Sequence, residues 1–261
     1  MTASVLHQVE GAVATITINR PEARNALTAQ TKEALLDVLR NCSADGGVRA
    51  VILTGAGQAF CSGQDLREHA ELLATAAAPL DTVRHHYNPI VETIARMPKP
   101  VIAALPGVAA GAGASLALAC DFRIAAQRAS LLLAFARVGL GADSGASWTL
   151  QRLIGPARAT EMLMLAEPID AATALGLGLL TSVVPDDQLP AAAAAFAARL
   201  AAGPTLAYAA IKESLLYASA RGLGESLEKE AELQARLGGS HDHQSATTAF
   251  VNKQSPVYLG R

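Results

Sequence analysis

Two stretches of this sequence leave backbone amides where an anionic oxygen could be held. The first is Ala59-Phe60-Cys61-Ser62-Gly63-Gln64-Asp65-Leu66. The second runs from Pro106-Gly107-Val108-Ala109-Ala110-Gly111 into Ala112-Gly113-Ala114-Ser115. Each leaves a short apolar run, and the second enters an apolar helical pattern. Turns of small residues at a helix N-terminus leave N–H groups uncovered, and two converging donors form an oxyanion hole. A third glycine-rich turn, Val138-Gly139-Leu140-Gly141-Ala142-Asp143-Ser144-Gly145, places a carboxylate just ahead of another helical pattern. On local sequence alone Asp143 is either the N-cap of that helix or a proton acceptor. The Gly111-Ala112-Gly113 fragment has no acidic residue about 20 positions on in a βαβ context, so it does not develop into a dinucleotide fingerprint.

Alternating strands and helices must position these turns. Val13 to Ile18 alternates with period two and reads as a strand with one buried face, ended by Pro21. Thr28 reads as an N-cap for a helix whose apolar spacing runs from Lys32 to Leu39. Val48–Leu53, Val101–Leu105 and Phe122–Ala126 read as buried strands, and a helix is expected from about Leu80 to Arg96, before Pro98-Lys99-Pro100. This order implies crossover connections and a buried, largely parallel sheet. After about Gly155 the pattern reads as helical throughout, with helices over 191–202, 206–220 and 223–237. Asp121 and Arg123 read as a structural pair or cap. His85 or His86, beside Tyr87, is a candidate for lining a pocket, since neighbours on a helix point about 100° apart.

Bulk properties exclude several classes. The chain has 261 residues, of which 51% are hydrophobic and 17% charged, enough for one large core and too apolar for disorder. A formal net charge of −2 gives no global field for nucleic acid or an anionic membrane. The tract from Val101 to Cys120 is interrupted by Pro106, Gly107, Gly111 and Gly113, which reads as core and not as a membrane span. Cys42, Cys61 and Cys120 lack metal or disulfide-framework spacing, no metal site is expected, and no secretory signal opens the chain. A cytoplasmic protein is the expectation.

Four motifs occur in order: Arg20-Pro21-Glu22-Ala23-Arg24-Asn25-Ala26-Leu27, then the first glycine turn, then Lys99-Pro100-Val101-Ile102-Ala103-Ala104, then Ala119-Cys120-Asp121-Phe122-Arg123-Ile124-Ala125. Together they resemble the enoyl-CoA hydratase/isomerase (crotonase) superfamily from Val13 to Phe250-Val251-Asn252-Lys253. The resemblance implies an α/β fold, a ClpP-like spiral of ββα units over residues 1–190, with a helical oligomerisation region over 191–261 that builds homotrimers or hexamers. It implies an acyl-CoA thioester substrate, with coenzyme A as part of that substrate and no separate cofactor. The thioester carbonyl is expected between the N–H groups of Gln64 and Ala112. Arg24 and Ala26 match positions at the CoA phosphates and adenine, and Ser62, Asp65 and Leu66 match the adenosine–pantetheine bend. Lys253 matches a lysine near the 3′-phosphate; read alone, Arg24 and Lys253 are solvated charges.

The resemblance also bears on the reaction. The two carboxylates that hydratases use to orient water fall here at Ser115 and Phe135. Asp143 matches the aspartate of 1,2-epoxyphenylacetyl-CoA isomerases and dienoyl-CoA isomerases, and Gly63-Gln64-Asp65-Leu66 with Ala110-Gly111-Ala112 looks most like the phenylacetate-pathway isomerase branch. Isomerisation through an enolate, with Asp143 as acid and base, is therefore expected. Hydration of a 2-enoyl-CoA is the alternative reading, and a non-catalytic or RNA-binding relative is the alternative from another class. Burial against Phe135 and Trp148 is expected to raise the Asp143 pKa.

Overall fold

The computed structural model describes residues 3–75 and 81–261. A hairpin opens the fold: β1 (Val5–Glu10) pairs antiparallel with β2 (Val13–Ile18), whose Ala14, Ile16 and Ile18 are fully buried as the alternation predicts. After α1 (Ala29–Ala44), capped by Thr28 as expected, comes a repeated strand–strand–helix unit. The first is β3 (Ala50–Gly55), β4 (Ala59–Cys61) and α2 (Leu66–Ala74). Then α3 (Asn88–Arg96) leads to β5 (Val101–Leu105), β6 (Val108–Ala110) and α4 (Ala112–Ala119). The third unit is β7 (Phe122–Ala126), β8 (Ser130–Leu132) and α5 (Ala146–Leu165), broken at Gly155-Pro156.

Each unit gives its first strand to one sheet and its second to another. The larger sheet has the order β1-β2-β3-β5-β7-β10, and the smaller β4-β6-β8-β9. Pairing is parallel except for β1 with β2 and β8 with β9. The ββα spiral implied by the resemblance is thus present, with a second sheet that the strand patterns alone did not show. Its strands are two or three residues long and sit inside segments that read as turns.

The C-terminal part is not helical throughout. Between β9 (Ile169–Asp170) with α6 (Ala171–Gly176) and the last helices, β10 (Ser182–Val184) pairs parallel with β7 and closes the larger sheet. Four helices follow: α7 (Leu189–Ala201), α8 (Thr205–Ala218), α9 (Leu223–Gly238) and α10 (His241–Val251). The expected boundary at residue 190 falls within α7, which lays Leu189, Ala193 and Ala197 on Ile52, Ile102 and Ile124 of the sheet. The opposite sheet face, with Ile16, Leu53 and Val101, packs on Leu35 and Leu39 of α1 and on Ile90 and Ile94 of α3. Strands apolar on both faces are what a parallel sheet covered on both sides requires. No single helix among the described residues is long and apolar enough to cross a membrane.

The helix expected from about Leu80 to Arg96 is present over 81–96, with a π turn, Val83–Tyr87, running into α3; Leu80 itself lies outside the described residues. One local expectation is corrected. Asp121 and Arg123 are not each other's partners. Asp121 accepts from Lys212 Nζ at 2.7 Å and from the Val101 N–H at 2.7 Å, while Arg123 donates to the carbonyls of Leu179 and Cys120. Asp121 lies just ahead of β7 and Arg123 within it, and they turn to different segments, Asp121 to α8 and Arg123 to the chain after α6. Lys212 also donates to the Ile94 and Lys99 carbonyls and ties α8 to the body. Burial pushes the Asp121 carboxyl up, and the Lys212 ammonium opposes this. Lys212→Met, which leaves that carboxylate buried and unpaired, is expected to cost about 3 kcal/mol. Asp121→Asn added to it recovers part of the loss; urea unfolding at fixed protein concentration measures both.

Candidate active site

The first glycine turn leaves β4 and is gripped by the segment before α1. The Leu27 N–H donates to Gly63 O at 2.8 Å, the Asp65 N–H to Leu27 O at 3.1 Å, and the Ser62 N–H to Arg24 O at 3.1 Å. Asn25, buried in the left-handed region at φ 58°, donates to the carbonyls of Ala56 and Ala59. Much of the Arg20–Leu27 motif is therefore the scaffold of this turn. Gly63 has φ +85°, and a Cβ there would meet Ala110 O at 2.8 Å and Ala112 N at 3.2 Å. Only glycine suits this conformation and this approach. The peptide joining Gly63 to Gln64 thus lies against the start of α4.

The second turn leaves β6 and enters α4 with Ala112 as its first helical residue and Gly111, φ 51°, before it. A Cβ on Gly113 would fall 2.2 Å from Cys61 O, so α4 presses directly on β4. Neither the Gln64 nor the Ala112 N–H donates to the backbone in the sheet and helix bonding of these turns. The Ala112 amide belongs to the helix N-terminus, where the macrodipole adds partial positive charge. Two adjacent donors on one wall of a cavity can bind a carbonyl oxygen that acquires negative charge.

That cavity, about 720 Å³, is lined by Ser62, Gln64, Leu66, Tyr87, Ala112, Phe135, Leu140 and Asp143, together with His69, Asp81 and Thr82. Asp143 comes from the third unit, between β8 and α5. Ser144, at φ 52°, and Gly145, at φ 76°, make a left-handed turn there, and Gly145 caps α5 without a side-chain bond. Asp143 is therefore not the N-cap. Its Oδ1 accepts from Ser144 Oγ at 2.7 Å, and its carbonyl accepts from Ser115 Oγ at 3.4 Å. Burial raises the Asp143 pKa, opposed by the Ser144 bond and the charge of Lys32. Phe135 lines this site, but Trp148 does not: it is 40% exposed and stacks on Arg152, because it lies on the outer face of the first turn of α5.

The structure thus brings together Ser62, Gln64, Leu66, Ala112 and Asp143. Arg24 is exposed beside Ser62 in the left-handed turn, and Ala26 is buried behind it. Asp65 is 8% exposed and structural in its contacts: it caps α2 and accepts from Arg20 Nη1 at 2.8 Å. The Arg20 guanidinium and the capping amides more than offset its burial and hold the carboxyl below its usual value. Lys253 follows α10 and is exposed, away from the cavity lining.

Sequence reasoning passed over a polar cluster behind the cavity wall. Lys32, 1% exposed, donates from Nζ to Gln64 Oε1 at 2.9 Å and to Thr82 Oγ1, and lies 4.9 Å from the Tyr87 ring centre. The Tyr87 hydroxyl donates to the same Gln64 Oε1 at 2.7 Å. His86 contacts Thr82 Oγ1 at 3.0 Å and Glu33 at 3.6 Å, so of 85–87 it is Tyr87 that reaches the cavity. A signal was present: Lys32 interrupts the buried stripe of α1 that continues through Leu35, Leu36 and Leu39.

Comparisons with known proteins give the chain's relatives. Residues 8–261 match the family model for enoyl-CoA hydratase/isomerase. A protein of Rhodobacter capsulatus described as a probable enoyl-CoA hydratase is 42% identical, over 99% of this chain and 98% of its own. The 1,2-epoxyphenylacetyl-CoA isomerase of Escherichia coli is 38% identical, over 98% of each. The crystal structure of an enoyl-CoA hydratase from Polaromonas sp. JS666 superposes with a TM-score of 0.91 at 34% identity, covering 98% of this chain and 99% of that one.

Proposed function

This chain belongs to the enoyl-CoA hydratase/isomerase family, and within that family we propose that it is an acyl-CoA isomerase working through an enolate. The observation that carries this reading is the acid content of the cavity facing the two amides. Asp143 is there, half-buried, whereas Ser115 and Phe135 stand where the resemblance places the hydratase carboxylates. The Ser115 hydroxyl is spent on the carbonyls of Gly111 and Asp143, and Phe135 keeps its wall dry. Asp81, the other carboxylate of the lining, is exposed, whereas Asp143 is half-buried.

The thioester oxygen of a 3-enoyl-CoA accepts from the Gln64 and Ala112 N–H groups. Asp143 removes a proton from Cα, and the electron pair moves onto that oxygen as the enolate forms. The same carboxyl returns the proton at Cγ, the enolate collapses to the carbonyl, and the double bond ends between Cα and Cβ. One acid suffices, because no water is consumed. A carboxyl whose pKa burial has raised is better matched to giving the proton back. Rearrangement of an epoxidised aromatic acyl-CoA uses the same enolate and is favoured by the name of the Escherichia coli relative. The coenzyme A part of the substrate runs past Ser62 and Leu66 toward Arg24, and no separate cofactor is needed. Exposed apolar residues on α8 to α10, among them Leu215, Leu223 and Phe250, support assembly as a homotrimer or hexamer.

Hydration is the second reading, favoured by the description of the Rhodobacter relative. Product analysis separates the two. Conversion of a 3-enoyl-CoA to its conjugated 2-enoyl isomer at constant mass is expected. Rapid gain of one water by a 2-enoyl-CoA would reverse the assignment.

A further inference from the structure

Burying an ammonium is costly unless its surroundings use it. Lys32 occupies a position on α1 that a leucine would fill at the spacing of its neighbours Leu35, Leu36 and Leu39. Both of its hydrogen bonds go to neutral oxygens, Gln64 Oε1 and Thr82 Oγ1. Its side chain lies behind the cavity lining and reaches the reaction only through Gln64 and through its field.

We propose that Lys32 is a positioning residue for proton transfer: its buried ammonium clamps the Gln64 arm of the amide pair and sets a positive charge behind the cavity that Gln64 and Asp143 both line. This rests on the reading of Asp143 as the acid and base. The groups around the pair come from every neighbouring element. Glu33 lies on α1 beside His86 of the π turn, Glu68 on α2, Cys61 on β4, Tyr87 at the end of the π turn and Ser144 next to Asp143. Burial draws the Lys32 pKa down, and Glu68, Asp143 and Glu33 act to keep it charged. In return Lys32 opposes the upward push that burial exerts on Asp143. Charge arriving on a bound carbonyl would feel the same ammonium, at low local dielectric.

The test reads Asp143 directly, without substrate. In protein carrying carbon-13 at aspartate carboxyls, the resonance lost in Asp143→Asn identifies the residue. Its titration midpoint is then followed in the parent, Lys32→Met and Lys32→Gln proteins. Removing a positive charge disfavours the carboxylate, so the midpoint moves to higher pH in both variants. Lys32→Gln keeps an amide donor for Gln64 and decides the matter if the methionine variant does not fold. Kinetics on 3-hexenoyl-CoA accompany the titration, with kcat expected to fall about tenfold and KM to stay within about twofold. A midpoint that does not rise in a folded variant overturns the proposal, as does a loss confined to KM. An Asp143→Asn enzyme with parental activity refutes the acid–base reading instead, and the titration distinguishes that failure from failure of the Lys32 proposal.

Discussion

Asp143→Asn is expected to lower kcat for 3-enoyl-CoA isomerisation by about a thousandfold, within the range for removal of a general acid–base group. Asparagine keeps the shape and can still accept from Ser144 Oγ, so the left-handed turn at Ser144 and Gly145 stays in place. Binding of a saturated acyl-CoA is expected to be unchanged, because the two amides and the cavity walls are untouched. The parent's kcat/KM falls on the acid side as Asp143 takes up a proton. Since burial raises that pKa, this limb lies above the usual carboxylate range. Stability responds in the opposite sense to activity. A carboxyl whose folded-state pKa is raised favours the fold fully below its unfolded pKa, and that contribution is lost as pH rises through the folded value. At neutral pH the charged Asp143 therefore destabilises the protein, and Asp143→Asn raises Tm, by roughly 2–4 °C for each kcal/mol relieved. The gain shrinks as pH drops through the Asp143 pKa. Thermal scans of parent and variant at neutral and acid pH measure it, and an unchanged Tm at neutral pH would count against the burial argument.

Gly113→Ala is expected to have the second largest effect. Its new methyl would sit 2.2 Å from Cys61 O and 2.8 Å from Cys61 C and Cβ, all on β4. None of these is the end of a flexible side chain, so α4 must retreat. The Ala112 amide rides on its first residue and leaves its place beside Gln64. Loss of one oxyanion donor costs about a hundredfold in kcat or more, and the overpacking costs about 1–3 kcal/mol of stability. Gly141→Ala is the matched control. It lies in the Asp143 turn, has ordinary φ and meets nothing within 4 Å, so activity and Tm should both hold.

Much of this site could be read from residue order. Glycines 63 and 113 mark the close approach of the first turn and α4, Gly111 marks the left-handed entry to that helix, and Asp143 marks the acid kept in a turn facing them. The larger sheet was legible because β5 and the Ala50–Leu53 stretch of β3 are continuous apolar runs, as a doubly covered strand requires. The smaller sheet was not, because three residues such as Ala59–Cys61 are too few to show a period. β10 was hidden for the same reason, its Ser182–Val184 lying among helix-forming sequence. Lys32 was missed because a lysine on an amphipathic helix is ordinarily assigned to the solvent face, and only the tertiary placement of Gln64 and Tyr87 gives it partners. Asp121 paired with Lys212, 91 residues away, and no local pattern carries such a contact.

The three strand–strand–helix units each contribute from the same joint, between second strand and helix: Gln64 from the first, Ala112 from the second, Asp143 from the third. On the proposed reading, charge storage and proton traffic fall to different turns of one winding. The first two turns are locked together through Gly63 and Gly113 and tolerate little change. The third reaches the cavity on a loop outside both sheets, where a carboxylate can be added, removed or shifted without disturbing the amides. On that reading, a lineage built on this plan can exchange one reaction for another while inheriting its paired amides intact.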